Sequence, residues 1–291
     1  MSVYQNISSR TLIEKGWSGD QKYCAITADG HKYLLRISSI DRLERKRREY
    51  EKICEVALLG ISMCMPVEFG TCDEGTYSIQ SWIDGVDAEE TIMAMDADTQ
   101  YRYGWDAGQI LAKIHTIPAP TDAPSWETRF NAKIDRKIAM YESCELKYEN
   151  GGNAFLDYLS CNRQLLKDRP QSYQHGDYHI GNMMINQDGV LTIIDFDRDD
   201  FGDPWEEFNR IVWCAQAAPA FASGMVDGYL AVRFPWISGG CWRCTSAPIL
   251  SVRSLGQFPL EKKRLKSCGS RRRRCLNGTM ECVIPTWYHS R

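Results

Sequence analysis

The stretch QSYQHGDYHIGNMMINQDGVLTIIDFDRDDFGDPWEEF, residues 171–208, holds the side chains best suited to chemistry. Two apolar segments, Met183–Ile185 and Leu191–Ile194, flank Asp188-Gly189, and an Asp-Gly pair between strand-like runs predicts a hairpin. A two-residue loop there sets Gln187 against Val190, Ile185 against Thr192 and Met183 against Ile194, and extending the register sets Asn182 against Asp195. Directly opposed side chains lie about 5 Å apart at Cβ. An amide oxygen and a carboxylate are therefore expected to converge at the mouth of the hairpin. A few oxygen donors of this kind suit Mg²⁺, which keeps several waters and takes substrate phosphates as further ligands. Asp177, five residues before Asn182 on a segment without strand character, can approach the same point. Such a trio suits phosphoryl transfer, which is mainly positioning and neutralisation of charge.

Other chemistries fit less well. His175 and His179 flank Asp177, but His179 reads as a packing or hydrogen-bonding residue and not as a transition-metal ligand. The chain has no GxxxxGK[ST] loop and no GxSxG elbow, which argues against those NTPase and hydrolase classes.

The residues and their order resemble the aminoglycoside phosphotransferase family: His175-Gly176-Asp177 through Asn182, then Ile194-Asp195-Phe196-Asp197, then Gly202-Asp203-Pro204. The resemblance covers roughly residues 10 to 235. It implies an α+β, bilobal protein-kinase-like fold, with a small β-rich N-terminal lobe, a larger mainly helical C-terminal lobe and nucleotide bound between them. It also implies roles. Asp177 accepts or orients the proton of the acceptor hydroxyl, and His175 supports that catalytic loop. Asn182 and Asp195 hold Mg²⁺ against the triphosphate of ATP or GTP. Arg36 matches the position of the family's phosphate-binding lysine, with Glu49 on the following helix as its ion-pair partner. That arginine departs from the common lysine; it keeps the charge and adds a fork suited to phosphate oxygens, with a different reach. The turn containing Gly16, Ser18 and Gly19 covers the phosphates, and the backbone from Gln80 through Trp82 to Ile83 faces the adenine. Asp203 before Pro204 reads as a helix N-cap with proline at N1.

The elements that must position these groups follow from patterning. The runs YCAIT and KYLLRIS, separated by Asp29-Gly30, predict a first hairpin. Residues 41–59 carry Leu43, Tyr50, Ile53, Ala57 and Leu58 at mostly helical spacing and predict a helix that ends at Gly60. Short strands are expected at 65–70 and 76–82. Residues 104–115 place Ala107, Ile110, Leu111 and Ile114 on one helical face before the break from Pro118 to Pro120. Residues 121–170 predict further helices and a connecting loop. The organisation expected is a nucleotide-binding lobe over 1–83, a catalytic and acceptor lobe over 84–235, and an atypical tail over 236–291.

Charge separates the tail from the body. Residues 1–235 hold 24 Lys and Arg against 36 Asp and Glu, whereas residues 236–291 hold 11 basic and 2 acidic residues. An acidic body favours a small cationic acceptor, an aminoglycoside most simply, and Asp199, Asp200, Glu206 and Glu207 are candidates to hold its ammonium groups. The same architecture serves kinases of macrolides, choline and homoserine. The tail carries five of the twelve cysteines and four consecutive arginines, Arg271–Arg274. Only Cys241 and Cys244 have CxxC spacing, so a zinc ribbon or a nucleic-acid module is not expected. The tail reads instead as a segment translated out of frame from about 236 to 282, the original frame resuming near Ile284-Pro285-Thr286-Trp287-Tyr288; an inactive nucleotide-binding product is then the alternative to an active kinase. No apolar run reaches the roughly 18 residues of a membrane span and the first thirty residues lack a secretory core, so no membrane partner and a cytoplasmic location are expected.

Overall fold

The computed structural model describes residues 2–14, 19–144 and 152–233. Gly16, Ser18 and the basic tail, including its proposed frame shift, lie outside the described residues. Two compact units are present, one from Met1–Ile117, Tyr173–Asp200 and Trp213–Phe234, the other from Pro118–Ser172, Phe201–Val212 and Pro235–Arg291.

The first unit opens with strands β1 (Ile7–Leu12), β2 (Gln21–Thr27) and β3 (Lys32–Ser38), followed by helix α1 (Leu43–Ala57) and strands β4 (Pro66–Cys72) and β5 (Gly75–Ser81). They form an antiparallel sheet in the order β1-β2-β3-β5-β4. Side chains two residues apart share a face, and Leu35 opposes Ile79 while Ile37 opposes Tyr77. Those four, with Ala25 and the flanking Val3, Tyr4 and Tyr23, make the apolar core of one face. The alternate positions put Lys22, Arg36 and Gln80 on the other face. Helix α1 buries Ile53 and Val56 and runs into Gly60, whose φ of +63° stops it as expected. Strand β1 has no counterpart in the sequence reading: its burial is nearly all exposed, so it offers no alternating apolar signal.

After β6 (Gly85–Asp87), helix α2 (Ala88–Met93) is capped by Asp87, which accepts from the Glu89 and Glu90 amides. Helix α3 (Ala97–Ile114) begins seven residues before the expected start, at an Asp96 cap that binds the Thr99 amide at 2.9 Å. It packs against α7 (Pro219–Arg233), which follows α6 (Ile211–Ala217). Gly104 and Gly108 on α3 meet the backbone of Phe221, Met225 and Tyr229, while Gly224 and Gly228 on α7 meet that of Tyr101 and Trp105. Four glycines thus let two helix backbones touch where any side chain would hold them apart. Tyr101 bonds Asp227 at 2.9 Å and buried His115 bonds Tyr229 at 2.8 Å across the same contact.

The catalytic-motif segment of this unit contains β7 (Ser172–Gln174), β8 (Met183–Asn186) and β9 (Leu191–Ile193). The β8–β9 register differs from the two-residue expectation: Met183 faces Ile193, Met184 faces Thr192 and Ile185 faces Leu191. The loop holds three residues, 187–189, because the Asn186 side chain accepts from the Asp188 and Val190 amides and Gly189 takes φ +75°. The first hairpin does likewise, with Gly30 at φ +87° and Lys22 facing Arg36. A type I turn followed by a left-handed glycine makes such a three-residue loop.

The second unit holds α4 (Trp126–Glu142) and α5 (Gly152–Asn162), packed through Trp126, Phe130, Ile134, Tyr141, Leu159 and Leu166. Asp203 caps the helical turn Pro204–Arg210 through the Trp205 amide and takes two bonds from Arg169 at 2.6 and 3.0 Å, so the N-cap expectation holds.

Candidate active site

His175 is fully buried at the end of β7. Its Nδ1 faces the Asp177 amide at 3.3 Å and its Nε2 faces the Ile194 carbonyl at 3.0 Å. An amide can only donate and a carbonyl can only accept, so the ring is neutral with its proton on Nε2. One imidazole thereby ties the loop bearing Asp177 to the residue before Asp195, and its packing on Tyr178 and Phe196 fixes its plane. Gly176 between them sits at φ +79°, where any Cβ would strike the Arg198 carbonyl.

The Asp177 carboxylate lies 3.4 Å from Arg198 and 3.7 Å from the Nε2 of His179. His179 Nδ1 accepts the Gly181 amide, which leaves Nε2 as the protonated nitrogen in the neutral ring. Asn182 donates from Nδ2 to the Asp177 carbonyl at 2.9 Å, and since that carbonyl cannot donate, the amide is oriented with Oδ1 as its remaining acceptor. The Asn182 carbonyl in turn accepts the Ile194 amide at 3.1 Å. Asn182 therefore stands opposite Ile194 and not opposite Asp195. Asp195 ends the strand pairing with φ +68°, a left-handed conformation in which a non-glycine residue is uncommon and which redirects its carboxylate.

Around Asp195 the charges are dense. Arg36 places one nitrogen 3.0 Å from Asp195 Oδ1 and 2.7 Å from Asp197 Oδ2, and Lys22 stands 3.5 Å from the same Asp195 oxygen. Burial alone would raise the Asp195 pKa, but the hydrogen bond shared with Asp197 and the charges of Arg36 and Lys22 outweigh it and hold the carboxyl at about 2. Asp20, directly after Gly19, is the buried anchor on the other side: its Nε contact from Arg36 is 4.0 Å, and Lys46 and Ser38 bind it at 2.7 Å. Burial opposes its ionisation too, yet the bonds from Lys46 and Ser38 and the charges of Lys46 and Arg36 lower its pKa.

The expected Arg36–Glu49 ion pair is not formed. Glu49 bonds Lys46 at 2.7 Å and Arg45 at 2.8 Å on its own helix, and Lys46 links on to Asp20, so the two ends are joined through Asp20 and Lys46. Helical neighbours three and four residues away are in reach without any tertiary arrangement, which is why they capture Glu49. Gln80 is buried on the Arg36 face of the sheet, and Trp82 and Ile83 are half-buried in the link from β5 to β6. Of the suggested ammonium-binding carboxylates, Glu206 and Glu207 are buried in the second unit, with Glu206 bonded to Lys133 at 2.6 Å. Asp199 is different. Burial, with the nearby carboxylates of Glu49 and Asp200, raises its pKa to about 7. Asp20, Lys22 and Asp197 carried no assigned role in the sequence reading; for Lys22 the signal was the parity it shares with Arg36 across a three-residue loop.

Asn182 and Asp195 fit a Mg²⁺ ion: an oriented amide oxygen and a carboxylate ionised at neutral pH are hard oxygen donors, few enough to leave room for water and phosphate. No cluster of three or more His, Cys, Asp and Glu able to hold a metal is present among the described residues.

The model of the phosphotransferase enzyme family matches residues 9–239. The chain belongs to that family. Solved structures carry the same fold. A choline/ethanolamine kinase family protein from Mesorhizobium loti superposes with a TM-score of 0.61 at 16% identity, covering 93% of this chain and 89% of that one. A macrolide 2'-phosphotransferase from Brachybacterium faecium gives 0.59 at 15%, covering 95% and 92%. An aminoglycoside phosphotransferase from Streptomyces rimosus gives 0.57 at 15%, covering 87% and 94%. None of the curated proteins matches this sequence. The phosphotransferase is thus an α+β protein of the kinase-like fold, as the motifs implied. Among its described residues no helix is long and apolar enough to cross a membrane.

Proposed function

We propose that this phosphotransferase moves the γ-phosphate of ATP or GTP to a hydroxyl of a small cationic molecule, an aminoglycoside being the first candidate. The observation that carries the reading is the locked trio: Asp177, Asn182 and the residue before Asp195 are tied to one another through the His175 ring and the Asn182 amide. Bonds that fix Asp177 and Asn182 beside the residue preceding Asp195 suit a reaction in which positioning is most of the catalysis.

Asp177 takes the hydrogen bond of the acceptor hydroxyl and receives its proton as the oxygen bonds to the γ-phosphorus. The bond from that phosphorus to the β-phosphate's bridging oxygen breaks, and the nucleoside diphosphate leaves. Arg198 and His179 flank the Asp177 carboxylate. Asn182 Oδ1 and Asp195 would hold Mg²⁺, which when bound neutralises charge on the phosphates. Gly19 is assigned to the phosphates and the backbone of Gln80–Ile83 to the adenine. Complexes of related proteins with ADP and spectinomycin, and with ADP and streptomycin, support the donor and the acceptor class. The excess of acidic residues over 1–235 favours a cationic acceptor.

The experiment is a panel of aminoglycosides, a macrolide, choline and homoserine with radiolabelled ATP and GTP. Label transferred to an aminoglycoside is the expected result. Transfer to choline or a macrolide alone moves the acceptor assignment, and no nucleotide binding with no transfer refutes the reading.

A further inference from the structure

The reading above leaves a choice between two cations for the nucleotide's phosphates, and the inference drawn here rests on it. Lys22 and Arg36 are directly opposed on β2 and β3, so their side chains leave the same face of the sheet, and both reach the same oxygen of Asp195. Their commitments differ sharply. The Arg36 side chain is 7% exposed and stands among three carboxylates, Asp195, Asp197 and Asp20. Among the described residues Arg36 is the cation that pairs with Asp197, so swinging it to a ligand would strand a carboxylate that is itself only 15% exposed. Abandoning a buried charge is among the more costly changes a protein can make.

Lys22 has one carboxylate contact, at 3.5 Å, beyond the usual hydrogen-bond range, and is twice as exposed at 14%. Its ammonium is a point charge with three rotatable donors on a flexible stem. It lies two residues after Asp20, near the start of β2. We propose that Lys22 is the cation that meets the terminal phosphates of the nucleotide, while Arg36 stays as the clamp that holds Asp20, Asp195 and Asp197 in place.

The test is calorimetric titration of the full chain, with Mg²⁺, using AMP, ADP and a non-hydrolysable ATP analogue against wild type, Lys22→Met and Lys22→Arg. Loss of a hydrogen bond to a charged group weakens binding by about tenfold or more. Lys22→Met is expected to lose that factor for the ATP analogue and to keep AMP affinity within about twofold. Lys22→Arg, which restores the charge, is expected to recover most of it. In the kinase assay the change should fall on KM for ATP more than on kcat. Unchanged affinity for the ATP analogue in Lys22→Met overturns the proposal, as does an equal loss for AMP, which would mark Lys22 as structural. A wild type that binds no nucleotide brings down the phosphotransferase reading as well, whereas normal binding and transfer by Lys22→Met bring down this inference alone.

Discussion

Replacing Arg36 by methionine removes the guanidinium while keeping an unbranched apolar stem in the sheet. Three carboxylates lose a neighbour. Asp20 keeps Lys46 and Ser38, and Asp195 keeps Lys22 at 3.5 Å, but Asp197 loses its cation at 2.7 Å. Breaking a buried pair by deleting one partner costs about 3–5 kcal/mol, and the partial exposure and residual partners here place the expectation near about 3 kcal/mol at pH 7. Part of that is linked to protons. Asp195 lies at about 2 against an ordinary 3.8, a gap worth about 2.4 kcal/mol at 1.36 kcal/mol per tenfold change. Its side chain is 33% exposed, so screening leaves about half, or roughly 1 kcal/mol. A depressed carboxyl pKa stabilises the fold above the unfolded value and loses that contribution as pH falls through the folded one. The Asp197 bond and the Lys22 charge remain in the variant, so the gap between wild type and variant should be full at pH 7 and narrow by less than about 1 kcal/mol between pH 4 and pH 2. Urea unfolding of both proteins across that range measures it. Adding Asp197→Asn to Arg36→Met should recover stability, because the stranded charge is gone. A gap below about 1 kcal/mol at pH 7, or no recovery in the double variant, would refute the view of Arg36 as a clamp.

Three other substitutions probe separate parts of the molecule. Asp177→Asn should cut turnover by about 10²–10⁴ while nucleotide affinity by titration stays near wild type, because the group acts on the acceptor hydroxyl; activity within threefold would remove Asp177 from that role. Asp199→Asn should stabilise the protein at pH 8 and leave it unchanged near pH 4: its pKa is raised to about 7, so the ionised form weakens the fold progressively from about pH 4 upward and fully above 7. For this half-buried group about 1–2 kcal/mol is expected after screening, read from thermal melts at the two pH values. Gly104→Ala should destabilise by about 3 kcal/mol, because its Cβ would meet the Phe221 carbonyl and force α3 off α7; a melting temperature unchanged within a degree would show that the two helices separate freely.

What the sequence determined by itself was local. Apolar alternation in YCAIT and KYLLRIS, helical spacing ending at Gly60, and Asp-Gly pairs between apolar runs are short-range signals, and they located β2, β3, α1 and the β8–β9 hairpin. The motif His175-Gly176-Asp177 with Asn182 and Asp195 was equally legible, because residue types and intervals suffice to suggest the chemistry. Tertiary structure decided the rest. Loop length could not be read from Asp-Gly alone: the Asn186 side chain added one residue to the turn, and a one-residue change in register put Ile194, not Asp195, opposite Asn182. The pairing of Arg36 was set by what packs beside it, since an arginine surrounded by Asp20, Asp195 and Asp197 has no need of Glu49, and Glu49 had nearer partners on its own helix. The same holds for the α3–α7 contact. Four glycines at helical spacing read as weak helix formers in a sequence, and only when two backbones meet over them does their missing Cβ become the reason the helices can pack.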